Sequence, residues 1–297
     1  MGTAFLQIIK ENVEHILSFL ERKQIMAKIA VFYDHLLEIA RQESISPAEA
    51  LQEARRLGIA CAEVSYENAR ESPARLAKLL ASAGLRVSCM PCFFDFGRDP
   101  NPLASILPVL EAAKELGADK LLAVPGFWAQ NEDSETREQQ TQNMIRALCS
   151  MAGLAERQGI TLTIEDYDSR LAPYSTVNGL NRFLAGCPGL ALTFDTGNFR
   201  YSGEDALEAW DALGNRAAHV HLKDRALTPI YGEEGLPAAG ETLYPCPVGK
   251  GVIPIEQLVE RMKDGNYGGI YTIEHYGAKD MLGCLRQSAG WLRGVLA

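Results

Sequence analysis

The sequence predicts a (β/α)8 barrel, and three observations carry that expectation. From residue 28 onward, eight short runs rich in β-branched and apolar residues alternate with longer segments of helical periodicity. Several helical segments stop at glycine, with Gly58, Gly84, Gly117 and Gly159 each just past a helix end. The last four strand-like runs each end in a carboxylate or an imidazole.

Strands are expected near 28–33, 59–64, 85–90, 119–124, 160–165, 190–195, 217–222 and 269–274. Helices over Pro47–Leu57 and Pro73–Ala83 open on a proline, whose fixed φ and missing N–H suit a first turn. Helices over Leu103–Leu116 and Thr136–Gln158 fill the next two connections. An open doubly wound sheet is the alternative, but it usually has fewer strands and a glycine-rich first turn. The chain contains no GxGxxG or P-loop motif, which removes the usual nucleotide-binding routes. Arg225 to Gly251 breaks the pattern, being rich in Gly and Pro without helical period. It leaves the C-terminal end of strand 7, where barrel active sites lie, and reads as a loop covering the substrate.

Residues 1–25 form a separate unit. Phe5, Ile8, Ile9, Val13, Ile16, Leu17 and Leu20 mark one face of an amphipathic helix, a short extension packed on the barrel or across a dimer. Lys10, Glu11 and Glu14 interrupt any apolar centre a secretory signal would need. Met26 stands just before the first strand and is an alternative start. Residues 26–297 make up one catalytic domain.

A formal net charge of −9 and pI near 5.2 disfavour a surface that grips phosphodiesters, so nucleic acid is not an expected partner. No apolar run approaches the roughly 18 residues that span a bilayer, so neither is a membrane. Seven cysteines without a signal peptide point to reduced thiols and a cytoplasmic setting. Cys89 and Cys92 form the single CxxC and read as small buried hydrophobes. A small-molecule partner remains, with homo-oligomerisation open.

The chemistry lies at the four tips. Glu165 closes the run from Ile160, Asp195 the run from Leu190, His221 the run from Ala217 and Glu274 the run from Ile270. On consecutive staves of a closed barrel these groups converge, and three oxygens with one nitrogen suit a hard divalent cation. Mn2+ fits best, with Mg2+, Co2+ and Zn2+ as alternatives. Such an ion polarises a carbonyl and acidifies the adjacent C–H, which paired carboxylates could deprotonate and reprotonate. His219 shares the inward parity of His221 one layer deeper, and supports the ligands rather than joining them. Lys223 continues the parity to the rim, as a contact for an oxyanion or phosphate or as a solvated lysine. The Gly249-Lys250-Gly251 amides offer a weak phosphate nest. Glu63, at the tip of strand 2, either binds sugar hydroxyls or pairs with a neighbouring cation.

The segments Ile164-Glu165-Asp166, Phe194-Asp195-Thr196-Gly197-Asn198, His219-Val220-His221-Leu222-Lys223-Asp224 and Ile273-Glu274 resemble the sugar phosphate isomerase/epimerase superfamily. That group is xylose isomerase-like and includes ketose 3-epimerases, inosose dehydratases and hydroxypyruvate isomerases. The resemblance runs from residue 26 to 297 and is strongest from 160 onward. It implies a TIM barrel with a metal held by Glu165, Asp195, His221 and Glu274, where Glu165 and Glu274 double as the acid/base pair. The implied reaction is isomerisation or epimerisation of a ketose or sugar phosphate through an enediolate, with an inosose-type dehydratase as the alternative. Glu63, Asn198, Lys223 and Arg225 are the expected substrate contacts. The chain departs from the ketose 3-epimerases at Asn198, where they carry histidine, and at Asp166-Tyr167-Asp168, where they carry an Asn-Arg-like sequence. Two further readings fare worse. An apurinic endonuclease-like hydrolase would need a histidine-rich zinc cluster, and this chain has only five histidines, none at the tips of strands 2 or 3. A non-catalytic binding protein would be expected to lose one of the four tips, and none is lost.

Overall fold

The computed structural model describes residues 29–297; the expected helical extension over 1–25 lies outside the described residues. Eight parallel strands close into a barrel in the order β1-β11-β7-β6-β5-β4-β3-β2. These staves are β1 (Ile29–Phe32), β2 (Cys61–Glu63), β3 (Arg86–Phe93), β4 (Lys120–Val124), β5 (Thr161–Glu165), β6 (Ala191–Asp195), β7 (Ala217–Lys223) and β11 (Tyr271–Glu274). Seven of the expected runs match to within about two residues at each end. The exception is β3, which continues to Phe93 because Cys92 and Phe93 pair with Ala123 and Val124 of β4.

The crossovers are helical. Between β1 and β2 lie α1 (Tyr33–Glu43) and α2 (Pro47–Arg56), so that connection holds two helices where one per strand is the simplest expectation. Ser46 caps α2 in a reciprocal box with Glu49, followed by Pro47 in the first turn. Ala50, Leu51 and Ala54, spaced three and four apart, turn its apolar stripe inward. Next come α3 (Tyr66–Ala69) and α4 (Pro73–Ser82), α5 (Pro102–Leu116), α6 (Ser134–Glu156), α7 (Val177–Gly186), α8 (Ala206–Leu213), α9 (Ile255–Asp264) and α10 (Met281–Leu296). Gly117 ends α5 in the left-handed region (φ 75°), where a side chain would be strained.

The segment after β7 is ordered as a small antiparallel sheet, β8-β10-β9, from β8 (Arg225–Ala226), β9 (Leu236–Pro237) and β10 (Thr242–Pro245). Its lack of helical period is thus explained by short strands. Among the described residues, no helix is long and apolar enough to cross a membrane. Cys89 and Cys92 are buried within β3, and burial pushes both thiols well above their ordinary range.

Candidate metal centre and active site

Register brings the tips together. Asp195 of β6 lies beside His221 of β7, Glu165 of β5 pairs with Thr193, and Glu274 of β11 pairs with Lys223. Because side chains alternate along a strand, Glu165, Asp195, His221 and Glu274 all face the barrel axis near its C-terminal mouth. One donor atom from each lies within 4.8 Å of the others, and all four side chains are buried. Glu165 Oε1, Asp195 Oδ2 and His221 Nδ1 have no aligned hydrogen-bond partner, although the first and last are in direct contact. Buried carboxylate oxygens and an imidazole nitrogen that converge without aligned hydrogen bonds fit a divalent cation.

Each donor is held by its neighbours. Asp195 Oδ1 accepts from the backbone N–H of Gly197 (2.7 Å) and Asn198 (2.8 Å), which leaves Oδ2 facing inward. This tight turn requires Gly197, because a Cβ there would lie 2.6 Å from the Lys223 carbonyl oxygen. His221 Nε2 sits 3.1 and 3.2 Å from the two oxygens of Glu63, while Nδ1 turns toward Glu165 and Glu274. Glu63 therefore selects which imidazole nitrogen is presented.

That position corrects the sugar-hydroxyl expectation for Glu63. The side chain is fully buried, lies outside the cavity lining and is engaged by His219 (2.6 Å) as well as His221. Burial opposes its ionisation, yet the two imidazoles outweigh burial and hold the carboxyl well below its ordinary value. The pairing alternative is the one realised. His219 lies in the layer below, also 3.2 Å from Thr272 Oγ1, where Thr193 donates to Thr163 at 2.8 Å. Replacing Glu63 with Gln is expected to lower divalent-metal affinity about 10–100-fold, read by calorimetric titration, because His221 loses its charged orienting partner.

Lys223 does not sit at a solvated rim. Its ammonium lies 2.6 Å from Glu274 Oε1 and 3.2 Å from Asp195 Oδ2, and donates to Asn198 Oδ1 at 2.9 Å. Asn198 in turn donates to the Asp166 carbonyl (2.8 Å), so its amide positions Lys223 as well as lining the cavity. Arg225 is 4% exposed and lies over the Tyr201 ring at 5.6 Å, with an unpartnered Nε. Sequence reasoning gave no role to Asp166 or Asp224 and did not foresee the aromatic lining. Asp166 is buried against Asp195 and Glu165, and burial followed by those charges holds its carboxyl well above the ordinary range.

Above these groups opens a cavity of about 560 Å3. Its floor includes Glu165, Asn198, His221, Lys223 and Glu274, and its walls carry Tyr66, Phe93, Tyr167 and Tyr276. Glu234 and Leu236 of the segment after β7 complete the lining.

Protonation opposes metal loading. Burial pushes Asp195 up to about 6 and raises Glu165; His221 is raised well above its ordinary value because Glu165 and Glu63 outweigh burial. Protons on these groups must leave before they can ligate. Metal affinity is therefore expected to rise from about pH 5 to about pH 8, with proton release seen as a buffer-dependent binding enthalpy. Affinity flat across that range would contradict the assignment of these ligands.

A barrel of parallel staves with four buried side chains that could hold a metal ion at its C-terminal mouth defines the class. Residues 51–295 match the family described as the xylose isomerase-like TIM barrel, and the chain belongs to that family. It is 27% identical over 144 residues to an inosose dehydratase of Clostridium perfringens (strain ATCC 13124), covering 46% of this chain and 48% of that one. The chain thus spans about half the length of the inosose dehydratases it matches. It is 24% identical over 278 residues to L-ribulose-5-phosphate 3-epimerase UlaE of Escherichia coli (strain SMS-3-5), covering 84% and 89%. The fold also superposes on the IOLI protein, solved with a bound zinc atom, with TM-score 0.70, 16% identity and coverage of 91% and 98%.

Proposed function

We propose that this protein is a divalent-metal-dependent isomerase or epimerase acting on a ketose or sugar phosphate. One observation carries the reading. Glu165 and Glu274 stand at the two ends of the four-stave arc β5-β6-β7-β11, and both line the cavity. A substrate between them meets a carboxylate on each side.

Glu165, Asp195, His221 and Glu274 would hold the cation, which would supply Lewis-acid polarisation of the substrate carbonyl. One carboxylate takes the proton from the carbon beside that carbonyl. The other returns a proton to the opposite face, inverting that carbon, or to the neighbouring carbon, isomerising the sugar. Burial raises the proton affinity of Glu165, which suits a general base near neutrality. Arg225 holds a substrate oxygen, Lys223 positions Glu274 and Asp195, and the segment after β7 keeps out water.

A second reading, dehydration, draws on the likeness to inosose dehydratase and on Lys223. The same C–H bond breaks and a β-hydroxyl departs, protonated by the ammonium beside Glu274. Incubating the metal-loaded protein with ketoses and inososes in D2O, followed by NMR, separates the outcomes. Deuterium at one carbon of substrate or epimer supports the first reading, and loss of water the second. No exchange and no water loss with any member would sink both.

A further inference from the structure

We propose that the site takes a neutral, unphosphorylated carbohydrate ketone and discriminates against phosphate esters. The inference rests on the sugar-ketone reading above and names its substrate class. A sugar phosphate brings a charge near −2 at neutral pH, which needs several cations or a nest of backbone amides to meet it. The cavity lining, among the described residues, has no such nest, and its carboxylates outnumber its lysine and arginine side chains.

Among the described residues lining it, Lys223 and Arg225 are the lysines and arginines present. Lys223 is already bound to Asp195, Glu274 and Asn198. Arg225 brings a single guanidinium, enough to hold a carbonyl or hydroxyl oxygen. Facing it are four carboxylates beyond the candidate metal ligands: Asp34, Glu67, Asp168 and Glu234. Asn68 donates to Asp34 and Arg70 pairs with Glu67; among the described residues Asp168 and Glu234 form no close ion pair, and Lys223 acts on Asp168 only through space. A phosphate entering here meets an excess of carboxylates.

The chain does contain an amide nest beside the mouth, and an internal anion fills it. Gly249, Lys250 and Gly251 aim their N–H groups at Asp224 Oδ2, at 2.9, 3.1 and 2.8 Å. Arg225 and Ile253 donate to Oδ1 at 2.8 and 3.2 Å. The feature most able to bind phosphate is thus spent on closing the segment after β7. What remains is an aromatic lining, Tyr66, Phe93, Tyr167 and Tyr276, whose apolar surface suits the C–H groups of an uncharged sugar.

The test is binding of matched pairs to the metal-loaded protein by saturation-transfer NMR and calorimetry. The pairs are D-fructose with D-fructose 6-phosphate and L-ribulose with L-ribulose 5-phosphate, alongside scyllo-inosose and inorganic phosphate. The neutral member should bind at least about ten-fold tighter, with no displacement by millimolar phosphate. A combined Asp168→Asn, Glu234→Gln protein should narrow that ratio several-fold. A tighter ester in either pair, displacement by phosphate, or no binding of any neutral compound overturns the proposal. Deuterium exchange, scored separately, isolates the parent reading: neutral binding without exchange or water loss sinks the proton transfer alone, while ester preference with exchange sinks the substrate class alone.

Discussion

Glu165→Gln protein, saturated with metal, is expected to exchange substrate deuterium about 10^2–10^4-fold more slowly than the native protein. The substitution keeps the shape and one ligating oxygen, but it removes the carboxylate that would accept the proton. Glu274→Gln should show a loss of the same order, because the second face of the substrate then lacks its proton donor. Both changes also weaken metal binding, so exchange is compared at metal concentrations shown by titration to saturate each variant. The two residues differ in surroundings. Glu274 is ion-paired with Lys223, whereas burial raises Glu165. The loss in Glu165→Gln should therefore persist across pH, while Glu274→Gln also frees the Lys223 ammonium to move. Exchange within a factor of a few of native in both variants would rule out their acid/base role.

The second large effect is expected on stability. Asp224→Ala should destabilise the protein by about 2–4 kcal/mol, read as a lower urea midpoint at unchanged slope. One carboxylate collects the N–H groups of Arg225, Gly249, Lys250, Gly251 and Ile253, fastening both ends of the segment after β7 to the end of that strand. Without it, the buried N–H groups of Arg225 and Ile253 lose their acceptor. Amide hydrogen exchange over 249–253 should quicken, and Arg225 should lose its fixed place over Tyr201. A urea midpoint indistinguishable from native would show that water replaces the carboxylate at little cost, and that the clamp does not hold the segment.

Much of the site was legible in the chain because strand tips are a local signal. An apolar run ending in Glu165 or Asp195 is odd for a buried strand unless that end is used, and the repeat of roughly one strand-helix unit put the tips on consecutive staves. Depth along the strand also ranked His221 above His219. Glu63 was placed at the right tip but left between two roles, since its partners lie more than 150 residues away in the chain. Only closure of β2 against β1, with β11 and β7 beyond, brings it beneath His221. Lys223 had the right parity and the wrong setting, because a flexible four-carbon stem turns toward the nearest carboxylates rather than following the strand outward. The first crossover carries two helices where the simplest pattern has one, a detail that periodicity did not resolve.

By itself, the sequence determined the staves, their order and the four side chains that end the last of them, because alternation and helix stops are written in neighbouring residues. The tertiary structure alone decided what those side chains do to one another. Glu63 orients His221, Lys223 neutralises Asp195 and Glu274, and Asp224 fills the nest that the glycines around Lys250 had offered to phosphate. Such pairings depend on register and on distances of a few ångströms between residues remote in the chain, and hydrophobic periodicity carries no information at that scale.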